Sequence, residues 1–300
     1  MKTFNNIYVP SVEDNVLFSE INTHQQLALS KALISSDVYK DEFIQTVMYL
    51  LKENLQNIPS STIDTFDVHD MITILTGLHC ISETDVVKIK ITCKKCGNTY
   101  TVDVNLGNIY DKLKTLRSKT FKINDQINVK LPSIKKEIEY IKLSKKIMSD
   151  ISISNKVQYI GIANIYRFTD IYLNHEDVFK YFDDLDDKIL KNIIKSINEV
   201  SSMYNDTYIY KFNCVERCTS HYTKKISIET SKFYSYFNYM YNYNSMIGIY
   251  KDIYHLSKVG LDPSYINTIS GFERNIYWGL YGKEIEKKKN ILKGKKKNNL

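Results

Sequence analysis

The sequence predicts an α+β chain, mainly helical, built as two lobes that each carry a cysteine-tipped β-hairpin and are joined at a zinc site. Three observations predict it. Apolar residues recur at helical spacing through Leu78, the pattern of helices with one buried face. The spacing then switches to strict alternation on either side of Cys93-Lys94-Lys95-Cys96-Gly97. The same switch returns around Cys214-Val215-Glu216-Arg217-Cys218.

Taken in order, residues 7 to 21 read as extended, and Thr23 with Gln26 gives a capping-box pattern that opens a short helix carrying Leu27, Leu29, Ala32 and Leu33. A second helix runs from about Asp37 to Leu55, its buried stripe formed by Val38, Phe43, Val47, Leu50, Leu51 and Leu55. Asp67 can cap the amides near Asp70 and start a third, burying Val68, Met71, Ile72, Leu75 and Leu78. Val87, Ile89, Ile91 and Cys93 then alternate with polar residues, as do Tyr100, Val102, Val104 and Leu106, so the CxxCG segment is a hairpin turn. Residues 108 to 117, 134 to 149, 156 to 172 and 186 to 202 read as helices, with a strand from Ile127 to Leu131 ended by Pro132. Tyr208, Tyr210, Phe212 and Cys214 alternate in the second hairpin, which resumes at Ile226 and Ile228. Ser270 with Glu273 opens a last helix, with Ile276, Tyr277 and Leu280 as its expected buried stripe. The divisions expected are an N-terminal helical lobe (1–118), a strand and helical connector (119–203), a C-terminal lobe with aromatic helices (204–282) and a basic tail (283–300).

The formal charge of +7 invites a nucleic-acid or membrane reading, but its location argues otherwise. Eight lysines against Glu284 and Glu286 give the last 18 residues +6, leaving +1 for the other 282. The basicity therefore belongs to a solvated extension of the last helix. The N-terminal Met1 to Asn6 leads into no apolar stretch of signal-peptide length, which predicts a soluble, non-secreted chain. In a reducing compartment its paired cysteines suggest metal or redox chemistry.

Zinc prefers thiolate sulfur and, in a structural site, takes four ligands. One CxxC turn supplies half a site, and Gly97 suits the positive φ such a knuckle requires. Cys214 and Cys218 supply the other half at a CxxxC spacing, and His221 is positioned in sequence to replace either. The predicted ligands are thus Cys93, Cys96, Cys214 and Cys218, around one structural zinc; reduced thiols without metal are the competing reading. A redox CxxC sits at a helix N-terminus, whereas this one sits between strands. Four cysteines also leave no open position for a catalytic zinc, and no HExxH-like base accompanies them.

Other candidates have simpler explanations. His79 and Cys80 are adjacent and cannot face each other on a helix, so Cys80 is expected to be a buried thiol. Among Asp64, Asp67, His69 and Asp70, helix capping accounts for Asp67 and Asp70. The aromatic run from Phe233 to Tyr243 resembles a base-stacking platform but lacks interleaved cations, so core or subunit packing is expected. No catalytic residue, phosphate loop or small-molecule site emerges.

The order of parts resembles a known family. Val9-Pro10-Ser11 in an extended N-terminal segment, paired helices, the Asp67 to Leu78 helix leading into the Cys93-Lys94-Lys95-Cys96-Gly97 hairpin, the second cysteine pair and Gly271-Phe272-Glu273-Arg274 are similar to the baseplate hub proteins of T-even-type contractile-tailed bacteriophages. The resemblance implies a non-enzymatic late viral protein that helps build the tail baseplate hub, as a subunit or an assembly factor. It implies other hub and tail proteins as partners, with oligomerisation left open, and a place in the host cytoplasm during assembly or in the virion tail. No membrane and no small-molecule substrate is expected. The runner-up is a zinc-ribbon accessory protein of transcription or replication that binds nucleic acid through CxxCG and the lysine tail.

Overall fold

A computed structural model describes residues 4–35, 40–93, 95–150, 152–204, 208–213, 221–226, 228 and 233–297, with backbone alone for 204, 208–213, 221–226 and 286–297. The chain opens with an antiparallel hairpin of β1 (Phe4–Val9) and β2 (Asp14–Ser19) in which Ile7 faces Val16. Alternation puts Ile7, Val9, Val16 and Phe18 in the core.

Three helices follow, α1 (Thr23–Ile34), α2 (Asp41–Asn54) and α3 (Val68–Ser82), with a 3-10 turn over Ser60–Thr65 before the last. The capping box of α1 is formed by Asn22 and Gln25, one residue before the expected Thr23 and Gln26. The cause is tertiary, because the Thr23 hydroxyl donates to the Ile269 carbonyl and the Gln26 amide oxygen accepts from Arg274. Helix α3 is capped as expected, the Asp67 carboxylate accepting from the Asp70 amide at 3.0 Å. Its apolar residues Val68, Met71, Ile72, Leu75 and Leu78 are fully buried, each contributing about 1.5–3 kcal/mol of gross hydrophobic stabilisation. Gly77 lets α4 (Leu106–Thr115) lie close against α3, since a Cβ there would stand 2.8 Å from the Tyr110 ring. Between them β3 (Val86–Thr92) and β4 (Thr99–Asn105) pair from Val86 opposite Asn105 to Thr92 opposite Thr99.

The middle of the chain holds the short pair β5 (Phe121–Lys122) and β6 (Asn128–Val129), then α5 (Ile134–Ser149), α6 (Lys156–Arg167), α7 (His175–Asp183) and α8 (Asp187–Ser201). Helix α6 stops five residues before the expected position 172. Residues beyond it are recruited by β6 instead: Val129 bridges Thr169, the Lys130 amide donates to the Phe168 carbonyl, and Asp170 accepts from the Asn128 amide. Helix α7, too short and too weakly patterned to stand out in the sequence, buries only Val178 and Phe182.

The second hairpin pairs β7 (Tyr208–Asn213) with β8 (His221–Ile226), Asn213 opposite His221. Beyond it lie α9 (Tyr234–Phe237), α10 (Tyr243–Lys258), α11 (Pro263–Thr268) and α12 (Gly271–Lys297). Most of the aromatic run is core, as expected, with Tyr243 at its end 58% exposed. Phe233, Tyr236, Phe237, Met240 and Tyr241 are buried, Phe237 packs on Phe43 with ring centroids 5.4 Å apart, and the Tyr236 hydroxyl lies 3.2 Å from that of Thr76. The C-terminal segment therefore closes over α1, α2 and α3. One expectation fails here. Ile276 and Leu280 of α12 are 48% and 56% exposed rather than buried, because the face turned to the protein is the one carrying Arg274 and Trp278. Among the described residues no helix is long and apolar enough to cross a membrane.

Candidate functional site

The β3–β4 alternation delivers Cys93 to the hairpin tip with its side chain buried. The Cys93 amide donates to the Asn98 carbonyl at 2.7 Å and the Gly97 amide to the Cys93 carbonyl at 2.9 Å, which closes the turn. Gly97 takes φ +73° to do so, a conformation that L side chains adopt only at a cost. The turn wraps the Cys93 sulfur: the amides of Lys95 and Cys96 both donate to Sγ, at 3.4 and 3.3 Å. Donors aimed at sulfur favour thiolate over thiol, and thiolate is the form that ligates metal. The donor chemistry and the backbone at this tip fit one half of a tetrahedral thiolate site.

The sequence thus located Cys93 and Cys96 correctly on one tip. Cys214 and Cys218 lie outside the described residues, and His221 is the first residue of β8. Among the described residues no group of three or more His, Cys, Asp or Glu side chains is arranged to hold a metal.

The remaining titratable candidates serve the fold. Burial, reinforced by the charges of Asp85 and Asp111, pushes the Cys80 thiol up to about 12, so it stays protonated at neutral pH. His79 is buried, its basicity lowered by desolvation, with its ring edge-on to Tyr241 at 5.4 Å. Asp67 and Asp70 form a reciprocal capping box, and Asp70 also accepts from the Ser11 amide at 2.8 Å, pinning the β1–β2 turn to α3. Desolvation and the neighbouring Asp70 carboxylate raise Asp67 to about 8, while burial lowers His69 to about 4. Asp64 stands apart in a surface ion pair with Lys52 at 2.9 Å. In the middle region, Glu137 and Arg167 form a buried ion pair at 3.2 Å.

One cluster went unseen in the sequence. Arg274 projects from the first turn of α12 into the N-terminal helices, donating to Thr23 Oγ1 at 2.6 Å, Gln26 Oε1 at 2.9 Å and Glu83 Oε1 at 3.0 Å. Asp252 of α10 pairs with its Nε at 3.4 Å and also accepts from the Trp278 indole at 2.7 Å. Ile269 receives the Thr23 amide at 2.8 Å. One guanidinium, whose fixed fork serves several acceptors at once, thereby ties α1, α3, α10 and α12 together. Its partners lie up to 251 residues away, so no local pattern could announce it.

These features describe a framework held together by contacts within the chain. No curated protein and no solved structure matches the chain. A family profile described as T4 bacteriophage base plate protein matches residues 1–232, the span that contains both cysteine hairpins and all of α1 to α8. The chain belongs to the T4-type bacteriophage base plate protein family.

Proposed function

We propose that the protein is a structural or assembly component of the tail baseplate hub, that it has no enzymatic activity, and that it works through contacts with other hub and tail proteins. The family match over residues 1–232 carries this reading. We further propose one structural zinc on Cys93, Cys96, Cys214 and Cys218. The amide donors to Cys93 Sγ and the positive φ of Gly97 support it.

A zinc ion shared by the two hairpins would close a loop of more than a hundred residues, a constraint of roughly 4–5 kcal/mol by the chain-entropy argument. Four thiolates around Zn²⁺ carry two net negative charges, and Lys94, Lys95, Arg217 and Lys224 flank the pairs in sequence. The ion would stiffen the relation between the 1–118 and 204–282 regions, presenting their outer surfaces to neighbours in a fixed arrangement.

Affinity capture from infected cells tests the function: baseplate hub and tail proteins are expected, and recovery of DNA or polymerase alone would contradict it. Elemental analysis after purification without chelator tests the metal. One zinc per chain is expected, and well under one rejects the four-cysteine site.

A further inference from the structure

We propose that the exposed face of α12 is a self-association surface on which a second copy of this chain packs antiparallel about a twofold axis near Ile276. Phe272, Ile276 and Leu280 stand on successive turns of one face and are 54%, 48% and 56% exposed. Three large apolar side chains in register on a helix already anchored through its opposite face form a ready seam for another helix.

The charges at the two ends of this seam identify the occupant. At its N-terminal end, α12 borders a groove whose lining includes Glu20, Glu53 and Glu273. Among the described residues no cation pairs with any of the three. At its C-terminal end the seam runs into exposed Lys283 and then seven further lysines, Lys287 to Lys297. Lys283 lies seven residues beyond Ile276, about 10 Å along the axis at helical rise, and Ile269 lies seven residues before it, just ahead of the start of α12. An antiparallel copy therefore sets Phe272 against Leu280 of the second copy, Ile276 against Ile276, and each lysine segment against the other's acidic groove. A twofold axis makes one such surface complementary to itself. A parallel pair would instead bring both lysine segments together and leave both grooves empty of cations, which like-charge repulsion disfavours.

Sedimentation of the full-length protein over a concentration and salt series tests this proposal. Reversible association from 35.1 kDa to twice that mass is expected, weakened by salt through screening of the lysine–carboxylate contacts. Ile276→Glu is expected to weaken association at least tenfold. Lys283→Glu with Lys287→Glu, or Glu20→Lys with Glu53→Lys, should each weaken it severalfold, and all four together should restore it. Ile276, Lys283, Glu20 and Glu53 are at least partly exposed, and the charge series keeps the question answerable should Ile276→Glu misfold. A single monomer mass at every concentration overturns the proposal, as does a dimer indifferent to both sets of substitutions. Binding to anionic vesicles or to DNA by a chain that stays monomeric also overturns it and reassigns the face.

Discussion

Helices α3 and α12 both begin with reciprocal side-chain caps, Asp67 with Asp70 and Ser270 with Glu273, yet they hold the protein together in opposite ways. Every residue of α3 from Val68 to His79 is buried. Of residues 271–285 of α12, only Gly271 and Arg274 are. The first is fixed by close packing on all sides, where each lost methylene is felt. The second is fixed by Arg274 and by the Trp278 hydrogen bond to Asp252, and keeps its apolar stripe outside. A helix that contributes little to the core while exposing Phe272, Ile276 and Leu280 is suited to contacts beyond its own chain.

Mutations can sharpen that contrast. Leu75→Ala in α3 should cost about 2–5 kcal/mol, from lost transfer energy and the cavity left behind, read as a drop in urea midpoint. Arg274→Ala should cost less, about 2–3 kcal/mol, because Glu83 and Asp252 retain side-chain exposures of 22% and 26% and regain water. Limited proteolysis should then cut first between α10 and α12.

A third test uses pH. Because the folded protein holds the Asp67 proton to about 8, well above an ordinary carboxylate, the native state binds more protons than the unfolded chain between about pH 4 and 8. Stability therefore falls as pH rises across that window. Asp67→Asn keeps an equally good N-cap and should flatten the alkaline side of the profile. Burial of neutral His69, lowered to about 4, acts on the acid side: the unfolded chain takes up the proton first, so stability falls as pH drops below about 6.5. The smallest effect belongs to α12, where Phe272→Ser or Ile276→Ser should change monomer stability by no more than about 0.5 kcal/mol.

Local signals made much of this architecture legible. The Asp67 cap and the apolar spacing through Leu78 mark α3, and the alternation around Cys93 and Cys96 marks the β3–β4 hairpin. What escaped depends on distant partners or on weak periodicity. Helix α10 buries only Ile249 and Leu256, too sparse a stripe to rise above the tyrosines around it. The cap of α1 sits one residue early because Thr23 serves Ile269 and Arg274 instead. The stripe of α12 has the pattern of a buried face, and periodicity cannot tell a face that packs within the chain from one that packs against another. For the candidate metal site, the CxxCG spacing located the knuckle, while its amide donors to Cys93 became visible only in three dimensions.

In the proposed function, this chain builds the baseplate through protein contacts rather than through catalysis or nucleic-acid binding. Electron microscopy of cells infected with phage carrying a nonsense mutation in this reading frame tests it most directly. Normal DNA replication with filled heads but without complete baseplates is the expected result. Complete, normally assembled tails, or an arrest of DNA synthesis or late transcription in place of a tail defect, would contradict it.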